Sequence, residues 1–558
     1  MTRRRPALAV AGALLALLLT ACAGLPTSGP VNAGRPVTEE EGDTDVAFVP
    51  AGPSPGATPA QIVEGFIAAG SGTRGNWATA QEFLTPEFRA TWRPQAGVTI
   101  YRAGERALAE PAEGEIVLTI APEATVDDTG AYYVAGEGPI TIGFRLEQVQ
   151  GEWRIVQAPD GVILDENRFR SVFRSYELMY FDPSWRFLVP DLRWFPTTNA
   201  ATRIAEALID GTPSPWLAES VLSAFSADVG LVQRSVPVRS GVAQVSLESG
   251  ARQLEPGVLD RMQTQLQESL KGAGIPDVDM LVDDQVLTAE PVSVASTRID
   301  SRPLVLTDDA FGFVSGTQVD EIMSLTAAVR SVDAVEIEVS ASRSLAAILS
   351  PTGAVLRAVA GAAVTEVDTR PGLIGPTIDT QNYIWTVPSG DPGSVVAVGP
   401  DGAWHEIADA WTGATRISAM RVSRDGARIA AVGRDGAHRS VWVAGIVRNQ
   451  DGVPVSLSDP HLLAVLPGDG VGLAWGDGTS LALSYTDGGQ TFVLEQPVGG
   501  PGAALRAPDG ITTVAGNNQP GGVRLRDTDG ELYVQRGASW QDQFSGVRVL
   551  ATQQGMPR

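Results

Sequence analysis

The period of the apolar positions changes several times along the chain, and each change marks a new segment. Ala7 to Leu19 is an unbroken apolar run behind Arg3, Arg4 and Arg5, and it ends at Leu19-Thr20-Ala21-Cys22. It is too short for a membrane-crossing helix, which needs roughly 20 apolar residues. A basic start, a short apolar run and small residues before a cleavage point read as a secretory signal peptide over residues 1–21. Residues 22–55 have no period. They hold Pro26, Pro30, Pro36, Pro50, Pro53 and Pro55 and the acidic run Glu39-Glu40-Glu41-Gly42-Asp43-Thr44-Asp45. Such a segment buries too little apolar surface to order itself and is expected to be a flexible tether reaching on the order of 30 Å.

Helical spacing begins at Thr58-Pro59, a cap followed by proline at the first helical position. Ile62, Val63, Phe66 and Ile67 then share one face. A second helical pattern is expected over Asn76–Trp92, carrying Trp77, Phe83, Leu84, Phe88 and Trp92, with a break at Pro86. The period then drops to two, predicting strands at Ile116–Ile120, Ala131–Ala135, Ile140–Val149 and Trp153–Ala158, the last two joined at Gln150-Gly151. Residues 56–184 are thus expected to form an N-terminal α+β domain, its aromatic residues serving the core. Over 185–295 the order is helix, hairpin, helix, strand. Ile204, Ala205, Leu208 and Ile209 form a stripe ending at Gly211; Val236–Arg239 and Ala243–Leu247 flank Ser240-Gly241; Val258, Leu259, Met262, Leu266 and Leu270 precede Val278–Val282. This αββαβ order predicts a compact α/β sandwich.

From residue 300 to 558 short strand pairs recur about tight turns. Examples are Val422–Ala430 around Asp425-Gly426, Leu473–Leu483 around Asp477-Gly478, Tyr383–Val387, and Leu525–Val534 around Asp529-Gly530. Comparable strands recur roughly every 35–50 residues, the period of a β-propeller, here of about six blades. The fold class expected is multidomain and mainly β with α+β parts.

Composition sharpens this picture in two places. The formal charge of the 558 residues is −24, and loss of Arg3, Arg4 and Arg5 with the signal takes it to −27. A chain so acidic is repelled by phosphate backbones, so no nucleic-acid partner is expected. Cys22 is the only cysteine, so stability must come from packing rather than disulfides. The Leu19-Thr20-Ala21-Cys22 arrangement resembles the lipobox of bacterial lipoproteins. That resemblance implies Leu19, Thr20 and Ala21 as signal-peptidase recognition residues. It also implies Cys22 as the lipid-attachment residue, carrying a diacylglyceryl thioether and an N-acyl chain.

Candidate chemistry is sparse. His405, His438 and His461 show no metal-ligand spacing and are expected at surfaces or turns. Gly52-Pro53-Ser54-Pro55-Gly56 has the letters of a nucleophile elbow but no strand before it. Asp527-Thr528-Asp529-Gly530 begins like a calcium loop and lacks its closing glutamate. The expectation is no catalytic residue, no metal and no cofactor: not an enzyme. One alternative is a cell-wall glycan-binding or glycan-processing protein using the propeller channel, in which Trp385, Trp404, Trp411, Trp442, Trp475 and Trp540 would stack sugars rather than pack between blades.

Two larger resemblances follow. Ala207–Pro213, Val221–Phe225, Gly241–Leu247 and the downstream strand resemble a GerMN domain, a module of spore-germination proteins. The whole order, with Cys22-Ala23-Gly24-Leu25-Pro26-Thr27-Ser28-Gly29-Pro30-Val31 at its start, resembles the LpqB family of actinobacterial lipoproteins. The resemblance implies a cell-membrane lipoprotein on the extracytoplasmic face. It further implies an accessory that contacts the extracytoplasmic domain of a sensor histidine kinase and tunes two-component control of the cell envelope and division.

Overall fold

The computed structural model describes residues 50–519 and 521–556. Leu19, Thr20, Ala21, Cys22 and most of the expected tether lie outside them. Residues 49–558 belong to one compact unit.

The first helix, α1 (Pro59–Ala69), starts as its sequence dictates. The Thr58 hydroxyl accepts from the Gln61 amide at 3.3 Å, and the Gln61 side chain accepts from the Thr58 amide at 2.9 Å. This reciprocal cap satisfies two donors that a helix start otherwise leaves open. Ile62, Val63, Phe66 and Ile67 are buried on its inner face. The helix expected over Asn76–Trp92 is instead two short pieces, α2 (Arg74–Gln81) and α3 (Pro86–Arg89). Gly75, Asn76 and Trp77 at the start of α2 are left-handed, with φ of 60°, 57° and 58°. Thr85 caps α3, so the break precedes Pro86 rather than bending one long helix there.

The sheet of this domain comprises β1 (Gly97–Ala112), β2 (Glu115–Asp127), β3 (Tyr132–Val134), β4 (Ile140–Val149), β5 (Glu152–Gln157) and β6 (Val162–Asp165). Its order is β5-β4-β2-β1-β6, with β3 on β2; β1 runs antiparallel to β2 and parallel to β6. Period alone did not reveal β1 as a strand. Its first residues alternate in burial, but residues 102–112 project into solvent and carry little apolar signal. Helix α4 (Glu166–Val172) then leads into a nine-pair antiparallel hairpin, β7 (Phe173–Phe181) and β8 (Leu188–Pro196). The division expected between residues 184 and 185 falls inside this hairpin.

The middle of the chain adds α5 (Ala200–Ile209), β9 (Val238–Arg239), β10 (Val242–Ser246), α6 (Pro256–Leu270), β11 (Asp277–Val282) and β12 (Gln285–Val286). The sheet order is β12-β11-β10-β9, with β10 and β11 parallel. The αββαβ order is present, with β12 added at the edge.

The strands that follow form six blades among the described residues: two are joined across the seam in one eight-stranded sheet, three are four-stranded, and one carries a fifth strand. The blade at the seam is composite. Its inner strand, Val549–Gln553, pairs with Leu304–Leu306, which continues to Phe311–Ser315 and Gln318–Glu321. The last strand thereby closes the ring onto the first, so that only the short outer strand of each blade is left as an edge.

One hydrophobic cluster runs from the middle domain into the propeller, joining Leu178, Ile204, Leu208 and Met262 to Val432, Val443, Leu473 and Leu483. Polar contacts reinforce it. The Trp194 indole donates to the Gly499 carbonyl at 2.8 Å, and Arg428 donates to the Pro190 carbonyl at 3.3 Å. Gly445 is required at this joint, since a Cβ there would come within 2.9 Å of the Trp216 carbonyl and closer still to the Ser220 hydroxyl.

Candidate functional site

The sequence motifs that mimic catalytic chemistry dissolve in three dimensions. Ser54 sits in an irregular turn ahead of α1. The Asp527 carboxylate accepts from the Asp529 and Glu531 amides at 3.0 and 2.9 Å and from the Tyr533 hydroxyl at 2.9 Å, which makes the loop a hairpin turn. Among the described residues no cluster of His, Cys, Asp and Glu can hold a metal ion, and no helix is long and apolar enough to cross a membrane.

The propeller channel is filled by its own side chains. Glu338 accepts from Thr377, Gln554 and Thr552 and from the Ile378 amide, all at 2.7–2.8 Å. Arg421 pairs with Glu336 at 2.6 Å. Burial pulls against its charge, but Glu336 and Glu338 together hold its pKa above the ordinary value. Among the described residues Arg424 has the carbonyls of Asn517, Trp475 and Gly476 as acceptors, and burial, the largest cause, brings its pKa down to about 10. About 30 Å³ remains between these groups, room for a water and not for a sugar. Trp385, Trp411, Trp442 and Trp475 are buried in the blades, and Trp404, 49% exposed, stands on an outer strand. Trp540, half-buried on the outer strand of the last sheet, donates its indole N–H to the Arg506 carbonyl at 2.8 Å, so the six tryptophans form no stacking platform at this channel.

A different cavity opens between the first domain and the β7–β8/α5 region. It holds ≈ 130 Å³ above Trp77, Val98, Val126, Phe173 and Phe195, all buried. The rim is polar: Asn76, Gln95 and Asp128 on one wall, Asn199 and Arg203 on the other. Two more open pockets, of ≈ 450 and ≈ 200 Å³, adjoin it, and all three share Asp128 and Arg203. The walls are tied together. The Thr73 and Thr198 hydroxyls are 2.8 Å apart. Arg203 donates to the Glu206 carboxylate at 3.1 Å and to the Gln95 side-chain oxygen and Asp128 carbonyl, each at 3.4 Å. The Gln95 amide passes the connection on to Asn76 at 2.9 Å.

Backbone strain gathers at the same place. Asn76 and Trp77 on one wall and Asn199 on the other, at φ 64°, are left-handed. An L-residue pays roughly 1–2 kcal/mol for that conformation, less for asparagine. Such strain persists where surrounding structure enforces it, and it concentrates at working sites. Sequence reasoning had Trp77 as a core aromatic and missed Gln95, Asp128, Asn199 and Arg203. The only local signal was the pairing of Gly75-Asn76 and of Asn199 with positions that tolerate positive φ.

Below the cleft lies a buried ion pair. Arg193 donates to Asp191 at 2.8 Å, to the Thr129 carbonyl at 2.9 Å and to the Thr212 carbonyl at 3.1 Å. Ser214 gives Asp191 two further bonds, at 2.8 and 2.7 Å. Burial alone would depress the guanidinium, yet the Asp191 charge holds its pKa above the ordinary value.

His461 departs from the surface position expected of it. It lies on the outer strand of the fourth blade, stacked on Trp216 with ring centres 6.0 Å apart and edge-on to Tyr133 at 5.5 Å. It therefore sits where first domain, middle domain and propeller meet. Burial pushes its pKa below the ordinary imidazole value, against the pull of Asp191 and a hydrogen bond to the Tyr132 backbone. A depressed folded pKa means that the unfolded chain binds the proton more readily. His461 therefore favours the folded state fully above its unfolded pKa of about 6.5 and loses that contribution as pH falls below it. Denaturant midpoints between pH 7 and pH 5 should fall more steeply for the wild type than for His461→Gln. Equal slopes would remove His461 from the joint's acid response.

Comparison with known proteins divides the chain in the same order. A family model described as lipoprotein LpqB, N-terminal domain, matches residues 52–170; one for sporulation and spore germination matches 177–288; one for the lipoprotein LpqB beta-propeller domain matches 314–550. A "Lipoprotein LpqB" of Thermobifida fusca is 32% identical over 48% of this chain and 44% of its own length. One of Bifidobacterium longum is 27% identical over 93% of both chains. Among solved structures, a chain of a nidogen/laminin complex aligns with 45% of this chain and 97% of its own at 13% identity and a TM-score of 0.33, too remote to bear on function.

Proposed function

The chain belongs to the LpqB family of lipoproteins, and on that premise we propose that it is a binding and regulatory accessory of a two-component sensor kinase, anchored to the extracytoplasmic face of the cell membrane through lipid on Cys22. The partner is the kinase's extracytoplasmic domain, and the process served is cell-envelope homeostasis and division. The observation that carries a binding role is the locking of three domains into one compact unit with a filled channel. A rigid body of this kind suits the presentation of surfaces to a partner, since little ordering entropy is lost on association. The anchor would confine it beside membrane proteins, where effective concentration compensates for modest affinity.

The test is a pull-down, by the lipid-free protein, of the folded outer domain of a sensor kinase from the same genome. Retention of that domain, and not of the outer domain of an unrelated kinase, is expected. Equal retention of both, or of neither, refutes the kinase assignment.

A further inference from the structure

We propose that the cleft between the first domain and the β7–β8/α5 region is a docking site for a peptide segment of a membrane-borne partner, with one apolar side chain in its floor and basic residues beside it. The site rests on the binding role proposed above, but its chemistry stands on separate observations.

The size of the floor sets the anchor. A dry cavity of about 150 Å³ accepts one benzene ring; here ≈ 130 Å³ lies over Trp77, Val98, Val126, Phe173 and Phe195. A single leucine- or phenylalanine-sized group fits, and a folded domain or an acyl chain does not. An anchor in a buried pocket with a polar surround is the usual arrangement of a binding hot spot. Side-chain amides at Asn76, Gln95 and Asn199 can meet the flanking peptide backbone.

Charge sets the flanks. The arginines around the cleft are already spent: Arg203 on Glu206, Arg193 on Asp191, Arg93 on Asp160. Among the described residues no ion pair reaches Asp128 or Asp210, and both are exposed. Asp128 on the cleft rim feels the Arg93 charge only in part, since Arg93 is bound to Asp160, and Asp210 lies in the adjoining pocket, so the surround of the apolar floor is net negative. Arginine or lysine on the ligand gains from that field, whereas a neutral glycan gains nothing and an anionic one is repelled.

Position sets the source. Pro50, the first described residue, packs on Gly72, where a Cβ would meet the proline ring at 2.7 Å; Thr73, the next residue, lines the cleft. Only the residues between Cys22 and Pro50 separate this edge from the proposed anchor. At about 3.5 Å per residue they keep the cleft within about 100 Å of the bilayer.

The experiment uses saturation-transfer NMR on the lipid-free protein with a synthetic decapeptide carrying one phenylalanine flanked by arginines in a glycine–serine background. Binding is expected, with loss when phenylalanine becomes alanine or the arginines become glutamates. The D128N/D210N variant, confirmed as folded by its melting curve, should bind about fivefold more weakly. No detectable binding, equal binding by the glutamate peptide, or unchanged binding by the variant overturns the proposal. So does saturation by an N-acetylglucosamine tetramer in place of the peptide, which would make the cleft a glycan site. The same variant in the kinase pull-down separates the two readings. Retention equal to wild type removes the cleft and leaves the kinase assignment standing; peptide binding without kinase retention does the reverse.

Discussion

Replacing Arg193 with alanine should lower the unfolding free energy by about 3–5 kcal/mol, the range for breaking one side of a buried ion pair. Arg193 and Asp191 are 1% and 2% exposed, so water cannot take the place of the lost guanidinium. The substitution leaves the Asp191 charge without its cation and removes the donor from the Thr129 and Thr212 carbonyls. Lysine is expected to rescue little, because one ammonium cannot reproduce a planar fork that serves Asp191 and two carbonyls at once. Thr129 belongs to the first domain, and Asp191 and Thr212 to the next segment, so the loss also loosens the wall beneath the cleft. A denaturant midpoint series on wild type, Arg193→Ala and Arg193→Lys measures this. The surface pair Arg93–Asp160, whose arginine side chain is 74% exposed, is the control: Arg93→Ala should leave the midpoint where it is. An Arg193→Ala midpoint indistinguishable from wild type would mean that the pair does not hold the joint.

The largest effect on location is expected at Cys22. Its thiol is the one atom to which the proposed diacylglyceryl group can bond, and the chain has no second cysteine to substitute for it. One acyl chain alone binds membranes marginally, and two or more hold firmly. Cys22→Ser should therefore convert a membrane-bound protein to a released one, with the melting curve of the unit that begins at Val49 unchanged. Fractionation of cells expressing each form is the measurement. Membrane retention equal to wild type would refute the anchor.

These two residues mark the reach of sequence reasoning here. The proposal for Cys22 rests on sequence alone, because targeting signals are local. A basic start, an apolar run, small residues and a cysteine are contiguous and are read by enzymes before folding. The α1 cap and the propeller were legible for the same reason. Thr58 and Gln61 meet within one turn, and each blade repeats a strand–turn–strand unit bounded by glycines such as Gly426 and Gly530, both at positive φ.

Arg193, His461 and the cleft were illegible because their meaning is assembled from segments far apart in the chain. Arg193 is one of about forty arginines, and only the approach of Thr129 and Thr212 distinguishes it from Arg93. His461 looked like a surface histidine until Trp216 and Tyr133 closed over it. The cleft draws on residues from Thr73 to Arg203, no two walls of which share a motif. By itself the sequence determined the order of the domains and the turns, since these depend on neighbours a few residues away. Tertiary structure alone decided which charges lost their water, which aromatics faced one another and where a cavity remained, since desolvation and packing depend on residues brought together only by the fold.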